Sequence, residues 1–523
     1  MTTADHPWVD GLTFAEMLAQ TVERFGERDC LVFPHCSYRC SYKQFAARVE
    51  EVALALMALG VQKGEHVGIW ATNWPQWVLT QFATAQMGAV LVNINPAYCA
   101  QELQYVLNQA DITALFLTDA VRNCSFFDIL AQVCPELSAD SSGPLRSASC
   151  PQLCHVISIK ENQGPGMLGW NEFCRQAANV SRADLARRQA EIKADDVVNI
   201  QYTSGTTGFP KGAMLTHRNL LLNAYYVGER IACTERDRVC IPVPFYHCFG
   251  CVLGTLLCAI HGAAMVVPAE SFDPLATLQA IQDERATVLY GVPTMFIAEL
   301  NHPRFAEFDL QSLRSGIMAG SPCPIEIMRA VVDRMGAREV TIAYGLTEAS
   351  PVITQTDIRD DLDHRVGTVG RVLPGLEVRI TEPGSVNPLP AGQPGELIVR
   401  GHCVMKGYYH KPAETAAAIT SDGWLRSGDL AMETPDGYYR ITGRIKDLII
   451  RGGENIYPRE IENVLFEHPA IAEVAVVGIP DETWGEQVAA FIRPAAGVPA
   501  QKIDTSELDE YMRARLAGYK RPR

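Results

Sequence analysis

The sequence predicts an α/β protein: a large N-terminal domain of two parallel-sheet α/β subdomains plus a small β-barrel, followed by a small α+β C-terminal lid. Three observations predict it. Helix-length and strand-length apolar patterns alternate through most of the first 340 residues, as they do when helices cover parallel strands. From about Gly367 the pattern changes to short strands with dense Gly/Pro punctuation, which suits a small barrel or sandwich. After "GRIKD" (443–447) helices and strands resume in a separate short tract. A chain of 523 residues with 47% hydrophobic content has room for about three or four units, each with a core.

The elements follow in order. "SYKQFAARVEEVALALMALGV" (41–61) has helical period, "HVGIWAT" (66–72) is a strand, "PQWVLTQFATAQMGA" (75–89) a helix, and "VLVNI" and "ALFLTD" are strands. The polar stretch from Ser138 to Gln163 reads as a surface excursion. "GPGMLG" (164–169) satisfies GxGxxG, but its proline and the absence of a clear βαβ unit make it a loop. The run from Phe249 to Val267 contains one ionisable side chain other than cysteine, His261. Its punctuation divides it into a buried helix "GCVLGTLLCAI" ended by "HGA" and a short strand "AAMVVP", two core elements and no membrane span. "VGRVLPGLEVRI", "GELIVRG" and "GYYRITG" supply the β-rich part. In the lid, "YPREIENVLFEHP" puts Pro458 in a first helical turn with Ile461, Val464 and Leu465 on one face, and "EVAVVGI" and "VAAFIR" are strands. "DTSELDEYMRARLAG" is a capped helix with Leu508, Tyr511, Met512 and Leu516 inward and Gly518 as its stop. The resulting boundaries are 1–443 for the large domain (1–190, 191–352 and 353–443) and 444–523 for the lid.

A net charge of −15 and a pI near 5.3 leave no basic footprint for nucleic acid or an anionic membrane, so an anionic ligand must be met by locally placed cations. The start "MTTADHPWVDGLTF" has no signal or transit pattern, and a cytoplasmic location is expected. Sixteen irregularly spaced cysteines read as reduced thiols. Cys248 and Cys251 have CxxC spacing, but nothing nearby completes a zinc set, and coincidence in an apolar segment is the better reading.

The stretch "YTSGTTGFPKGAMLTH" (202–217) carries the strongest chemistry. A β-branched strand precedes it, Gly205 and Gly208 let backbone N–H groups converge on an anion, and Thr203, Ser204, Thr206 and Thr207 add hydroxyls. Lys211 adds a positive charge. Pro210 before that lysine and Gly212 after it break the Walker A spacing, so a P-loop NTPase is excluded. A flexible surface turn is the bland alternative. No GxSxG elbow and no HExxH occurs, which leaves serine-hydrolase and zinc-protease chemistry without an anchor.

"YTSGTTGFPKG", "AYGLTEASP", "WLRSGDLA" and "YRITGRIKDLIIRGGENIYPREIE" stand in this order at domain-scale spacing. In this the chain resembles the adenylate-forming superfamily of acyl-CoA synthetases, firefly luciferase and peptide-synthetase adenylation domains. "NINPAY", "PFYHCFG" and "YGVPTMF" resemble fatty-acid and medium-chain acyl-CoA synthetases in particular. The resemblance covers almost the whole chain and implies a carboxylate attacking the α-phosphate of ATP, then a thiol attacking the acyl-adenylate.

The resemblance also implies roles. Thr203 through Lys211 (with Ser204, Gly205, Thr206, Thr207, Gly208, Phe209 and Pro210) would hold the β- and γ-phosphates. Tyr344 would stack on adenine beside Gly320 and Ser321, Gly345 would belong to the same ATP site, Thr347 would touch the α-phosphate, and Glu348 would help hold Mg²⁺. Lys211, Thr347 and Glu348 form the implied catalytic set. Asp429 would bind the ribose hydroxyls, with Arg444 as a second ribose or phosphate contact. His247 would gate an acyl pocket that includes Gly291, Lys446 would be the lid's hinge, and Gly452 and Gly453 would admit the pantetheine arm of CoA. Each has a plainer reading: a solvated carboxylate for Glu348, core rings for Tyr344 and His247, a turn cap for Asp429, a linker residue for Lys446, and an αL turn for the glycines.

In the family a lysine follows the "YK-P" segment near the C-terminus, and this sequence stops at Arg523 before it; on that pattern the chain reads as C-terminally incomplete. The implied function is ATP-dependent ligation of a medium- to long-chain fatty acid to CoA, with ATP, Mg²⁺ and CoA as cofactor and co-substrates. Its partners are these small molecules, with no nucleic acid, no membrane span, and a homodimer as the assembly allowed. Acyl transfer to a carrier protein, or binding of nucleotide and acyl-adenylate without turnover, are the alternatives.

Overall fold

The computed structural model describes residues 6–121, 124–138, 144–203, 209–321, 323–451, 454–481, 484–495, 498–499, 503–513 and 515–522. The chain forms two compact units, one of Met1–Val366, Val372–Leu376 and Arg400–Leu425, the other of Gly367–Arg371, Glu377–Val399 and Arg426–Arg523.

Besides a two-stranded sheet, Ala120–Val121 with Cys124–Ser125, the first unit holds two large sheets. One runs in the order Val352–Gln355, Glu339–Gly345, Ser315–Met318, Val288–Gly291, Arg238–Cys240, Ala264–Val266, Asp29–Phe33, Tyr38–Ser41. Its middle strands are parallel and both of these end pairs are antiparallel. The second runs Gly407–Tyr408, Lys211–Thr216, Val197–Thr203, Val90–Asn93, His66–Trp70, Ile112–Leu117, His155–Ser158, Leu168–Gly169, with parallel pairing from Val197–Thr203 onward. The helices start where side chains satisfy free N–H groups. Thr13 with Glu16, Ser41 with Gln44, and Thr216 with Asn219 each form a reciprocal capping box. Helix Pro75–Met87 buries residues around its whole circumference and stops at Gly88 in the left-handed region (φ 81°).

The apolar run becomes a π-helix, Phe249–Leu256, continued by Leu257–His261, capped by Gly262 and followed by strand Ala264–Val266. The sequence predicts a buried helix here but not its wider turn. Gly250 and Gly254 let it approach the chain closely: a Cβ at Gly250 would lie 2.2 Å from the Pro244 carbonyl oxygen, and one at Gly254 3.0 Å from Ile241. Among the described residues no helix is long and apolar enough to cross a membrane.

Two expectations change. The 138–163 stretch is not wholly superficial, because Cys150 and Leu153 are buried in a core cluster and His155–Ser158 enters the second sheet. In the second unit, helix Thr505–Arg513 ends before Gly518, which instead opens a short 3₁₀ turn, Gly518–Lys520. That unit contains a four-stranded sheet in the order Leu376–Thr381, Gly395–Gly401, Leu425–Glu433, Tyr439–Arg444. A second sheet runs Glu454–Ile456, Ile449–Arg451, Gly485–Pro494, Ile471–Asp481. Ile461, Leu465, Val476, Val488, Leu508 and Met512 fill the core beneath it.

Candidate active site

The Gly/Ser/Thr segment lies in a hairpin. Strands Val197–Thr203 and Lys211–Thr216 pair antiparallel with Thr203 directly opposite Lys211, so the hydroxyl and the ammonium flank the loop's base. Ser204, Gly205, Thr206, Thr207 and Gly208 lie outside the described residues. Phe209 is exposed and its ring stacks on Tyr105 at 4.8 Å, while the Tyr105 hydroxyl donates to the Pro210 carbonyl at 3.2 Å.

Glu348 is buried at the foot of this hairpin, in the 3₁₀ turn Thr347–Ala349. Its Oε1 accepts from Thr203 Oγ1 at 3.0 Å and from the Tyr408 hydroxyl at 2.8 Å. Lys211 Nζ sits 4.5 Å from the centroid of the same Tyr408 ring, within cation–π range. Burial, and then the Glu348 charge, push the Tyr408 phenol above its ordinary range, so it remains a donor. The structure thus brings Thr203, Lys211 and Glu348 together through Tyr408, which the sequence reading missed. The signal was the aromatic pair in "MKGYYH", whose strand Gly407–Tyr408 pairs with Lys211–Thr216.

The other predicted residues of this unit follow the carboxyl ends of strands in the first sheet, where open α/β sheets bind ligands. Tyr344 and Gly345 end Glu339–Gly345, and a Cβ at Gly345 would lie 1.9 Å from the Pro351 oxygen, which only glycine permits. Gly320 (φ 84°) and Ser321 follow Ser315–Met318 and are exposed. Gly291 ends Val288–Gly291 and is buried. His247 is exposed, unlike the core histidine of the plainer reading. Its Nδ1 accepts the Phe249 N–H at 3.1 Å, which leaves the ring proton on Nε2. Cys248 Sγ lies 3.6 Å from that Nδ1 and 3.8 Å from Thr347 Oγ1, so His247 and Thr347 share a neighbour.

A belt of buried amides fixes the backbone on either side of His247. Asn73 donates to the Val243 carbonyl at 2.9 Å and accepts the Phe245 N–H at 2.8 Å. Asn93 donates to the Tyr246 carbonyl at 3.1 Å. Cys251 Sγ accepts from both Asn93 Nδ2 and Gln201 Nε2 at 3.4 Å, and its carbonyl accepts from Gln81 at 2.8 Å. Gln201 lies two residues before Thr203, so the strand entering the Gly/Ser/Thr segment and the segment carrying His247 are joined through one sulfur. Cys251 is therefore a hydrogen-bond acceptor and not merely apolar filling.

In the second unit, Asp429 and Arg444 face each other across strands Leu425–Glu433 and Tyr439–Arg444. Asp429 is buried, Arg444 is mostly exposed, and Nε and Oδ1 lie 3.1 Å apart. Lys446 is exposed in the 3₁₀ turn Ile445–Asp447. Gly452 and Gly453 lie outside the described residues.

A sequence model of the AMP-binding enzyme family matches residues 18–409, and one of the AMP-binding enzyme C-terminal domain matches residues 460–523. The chain belongs to the AMP-binding enzyme family. This AMP-binding enzyme is 50% identical over 511 residues to the putative acyl-CoA synthetase YngI of Bacillus subtilis, covering 98% of this chain and 92% of the relative. It is 41% identical over 522 residues to the mitochondrial medium-chain acyl-CoA ligase ACSF2 of Danio rerio, covering 99% and 85%. Among solved structures, ATP-bound MatB from Rhodopseudomonas palustris superposes with a TM-score of 0.82 at 29% identity over 98% of this chain and 94% of that one. The anthranilate CoA ligase AuaEII in complex with anthranoyl-AMP gives 0.87 at 25% identity over 100% and 94%.

Proposed function

We propose that this AMP-binding enzyme takes a medium- to long-chain aliphatic acid as its acyl substrate, with the residues set out above in the roles the family implies. The reaction class is AMP-forming acid–thiol ligation: ATP and a carboxylic acid give an acyl-adenylate and pyrophosphate, and CoA then displaces AMP. The first step brings two anions together, so the protein's work is orientation and charge neutralisation. Lys211 and the hydroxyls of the loop bear on the β- and γ-phosphates, Thr347 on the α-phosphate, and Tyr344 on the adenine face. Asp429 and Arg444 are proposed as ribose contacts, and His247 with Gly291 as the acyl entrance.

The observation that carries the reading is the convergence of Thr203 and Tyr408 on Glu348, with Lys211 over the Tyr408 ring. A single buried carboxylate held by two hydroxyl donors fits Mg²⁺, which is bound through one or two carboxylates with phosphate oxygens and water completing its shell. When bound, the metal supplies Lewis-acid neutralisation of the phosphates. Tyr408 orients the carboxylate, and Lys211 is held over its ring. Sixteen cysteines without a disulfide among the described residues support a reducing, cytoplasmic setting, and a homodimer, part of the same reading, is checked by light scattering.

The test is acid-dependent pyrophosphate release with a series from butyrate to stearate, with and without CoA. Turnover peaking between octanoate and palmitate and requiring CoA for continued AMP release is expected. Turnover confined to short or aromatic acids overturns the substrate class, and AMP release that needs a phosphopantetheinyl carrier protein instead of CoA overturns the acceptor.

A further inference from the structure

The three strand ends beside the Gly/Ser/Thr segment are gripped on both faces of the sheet, because successive side chains of a strand point to opposite faces. On one face Thr203 and Tyr408 donate to Glu348, with Lys211 over the Tyr408 ring. On the other face their neighbours Tyr202 and Tyr409 meet helix Ala100–Gln109. The Tyr202 hydroxyl donates to Gln109 Oε1, and Gln109 Nε2 donates to the Tyr409 carbonyl at 2.8 Å. One turn earlier on the same side of the helix, Tyr105 takes the third strand end. Its ring stacks on Phe209 with centroids 4.8 Å apart, and its hydroxyl donates to the Pro210 carbonyl at 3.2 Å. Tyr105, Tyr202 and Tyr409 all pack against the core cluster that contains Leu103, Val106 and Leu107 of this helix, so the helix presents a fixed surface.

The pairing of Lys211 with Thr203 is the last of the strand pair, so Phe209 and Pro210 lie beyond the ladder, and proline has no N–H with which to join it. Phe209 is 56% exposed, so the core does not hold its ring. The contacts with Tyr105 therefore fix the stretch of chain from which Lys211 projects, and a shift of that backbone is passed on to the ammonium. We propose that Tyr105 is a positioning residue for acyl-adenylate formation, holding Phe209 and Pro210 so that the Lys211 ammonium meets the β- and γ-phosphates of ATP. This rests on the reading of Lys211 as a phosphate contact. Adenylation depends on orientation, and a displacement of about 1 Å from a change remote from the chemistry can cost about a hundredfold. In the second half-reaction CoA displaces AMP and no β- or γ-phosphate is present, so Tyr105 has no part in it.

The test compares ATP–pyrophosphate exchange, with the best acid of the chain-length series, against thioester formation from the matching acyl-AMP and CoA. The proteins are the wild type, Tyr105→Leu, Tyr105→Phe and Lys211→Ala. Tyr105→Leu keeps an apolar side chain against the core and loses both the stacking and the hydroxyl. It should lower kcat/KM for ATP in the exchange by about tenfold or more and raise KM for pyrophosphate, with KM for the acid and the thioester rate unchanged. Tyr105→Phe keeps the ring on Phe209 and gives up one hydrogen bond, so its loss should be smaller, about threefold. The ratio of the two half-reactions within each protein cancels any difference in folded fraction, and Tyr105→Phe preserves shape should the leucine variant fail to fold. Equal loss of both half-reactions, or an exchange unchanged in both Tyr105 variants, overturns the inference, and a loss of exchange in Lys211→Ala then leaves the reading of Lys211 standing. Wild-type exchange in Lys211→Ala overturns both.

Discussion

Glu348 takes two hydroxyl hydrogen bonds on one oxygen, and the two donors are separable. Tyr408→Phe keeps the ring beneath Lys211 and removes one donor to a charged acceptor, an interaction worth ~1.5–3 kcal/mol. It should lower kcat/KM for ATP by about tenfold or more, with KM for the acid little changed, in steady-state AMP formation; an unaltered ATP profile would show that Tyr408 merely fills space. A second expectation concerns pH. His217 Nδ1 accepts the Phe14 N–H at 3.2 Å, and burial lowers its pKa to about 3 against an opposing pull from Asp196. The folded pKa is below the ordinary 6.5, so the neutral ring's contribution is complete above pH 6.5 and is lost as pH falls towards 3. The slope is at most about 1.4 kcal/mol per pH unit. His217→Gln should flatten this part of the acid limb in thermal unfolding between pH 7 and pH 4. Glu348 was legible at this scale because it stands in a contiguous motif. Tyr408 was not, since its partner is 60 residues away in sequence.

The segment leading into helix Phe249–Leu256 shows how elements constrain one another. The apolar run indicates a buried helix, yet its sequence contains no amide to reveal that Asn93 and Gln201 converge on Cys251 from two strands of the other sheet. Replacing Cys251 by serine keeps an acceptor for them, whereas alanine leaves two buried amides short of one partner. Cys251→Ala should therefore raise KM for the acyl substrate and lower Tm, with Cys251→Ser closer to wild type. An equal loss in both variants would assign the effect to packing alone. Gly250→Ala places a methyl 2.2 Å from the Pro244 carbonyl oxygen, where backbone must move. Overpacking of this kind costs about 1–3 kcal/mol, visible as a lowered denaturation midpoint.

At the scale of the molecule, the proposed hinge at Lys446 is tested by Lys446→Pro, which fixes φ near −65°. If the turn Ile445–Asp447 is a pivot, ATP–pyrophosphate exchange should survive while thioester formation falls; equal loss of both steps in a folded protein would make it an ordinary linker. The sequence alone determined the fold class, the alternation of elements, and the family resemblance with the contiguous motifs that carry it. Each of these is written in contiguous residues whose backbone preferences and periodicity are local. Only the tertiary structure decided that Tyr408 joins Lys211 to Glu348, that Cys251 receives an amide 158 residues away, that His247 is exposed, and that Glu299 is buried with no hydrogen-bond partner among the described residues. A side chain's hydrogen-bond partners and burial depend on which distant strands and helices pack against it, and no local pattern of residue types encodes that pairing.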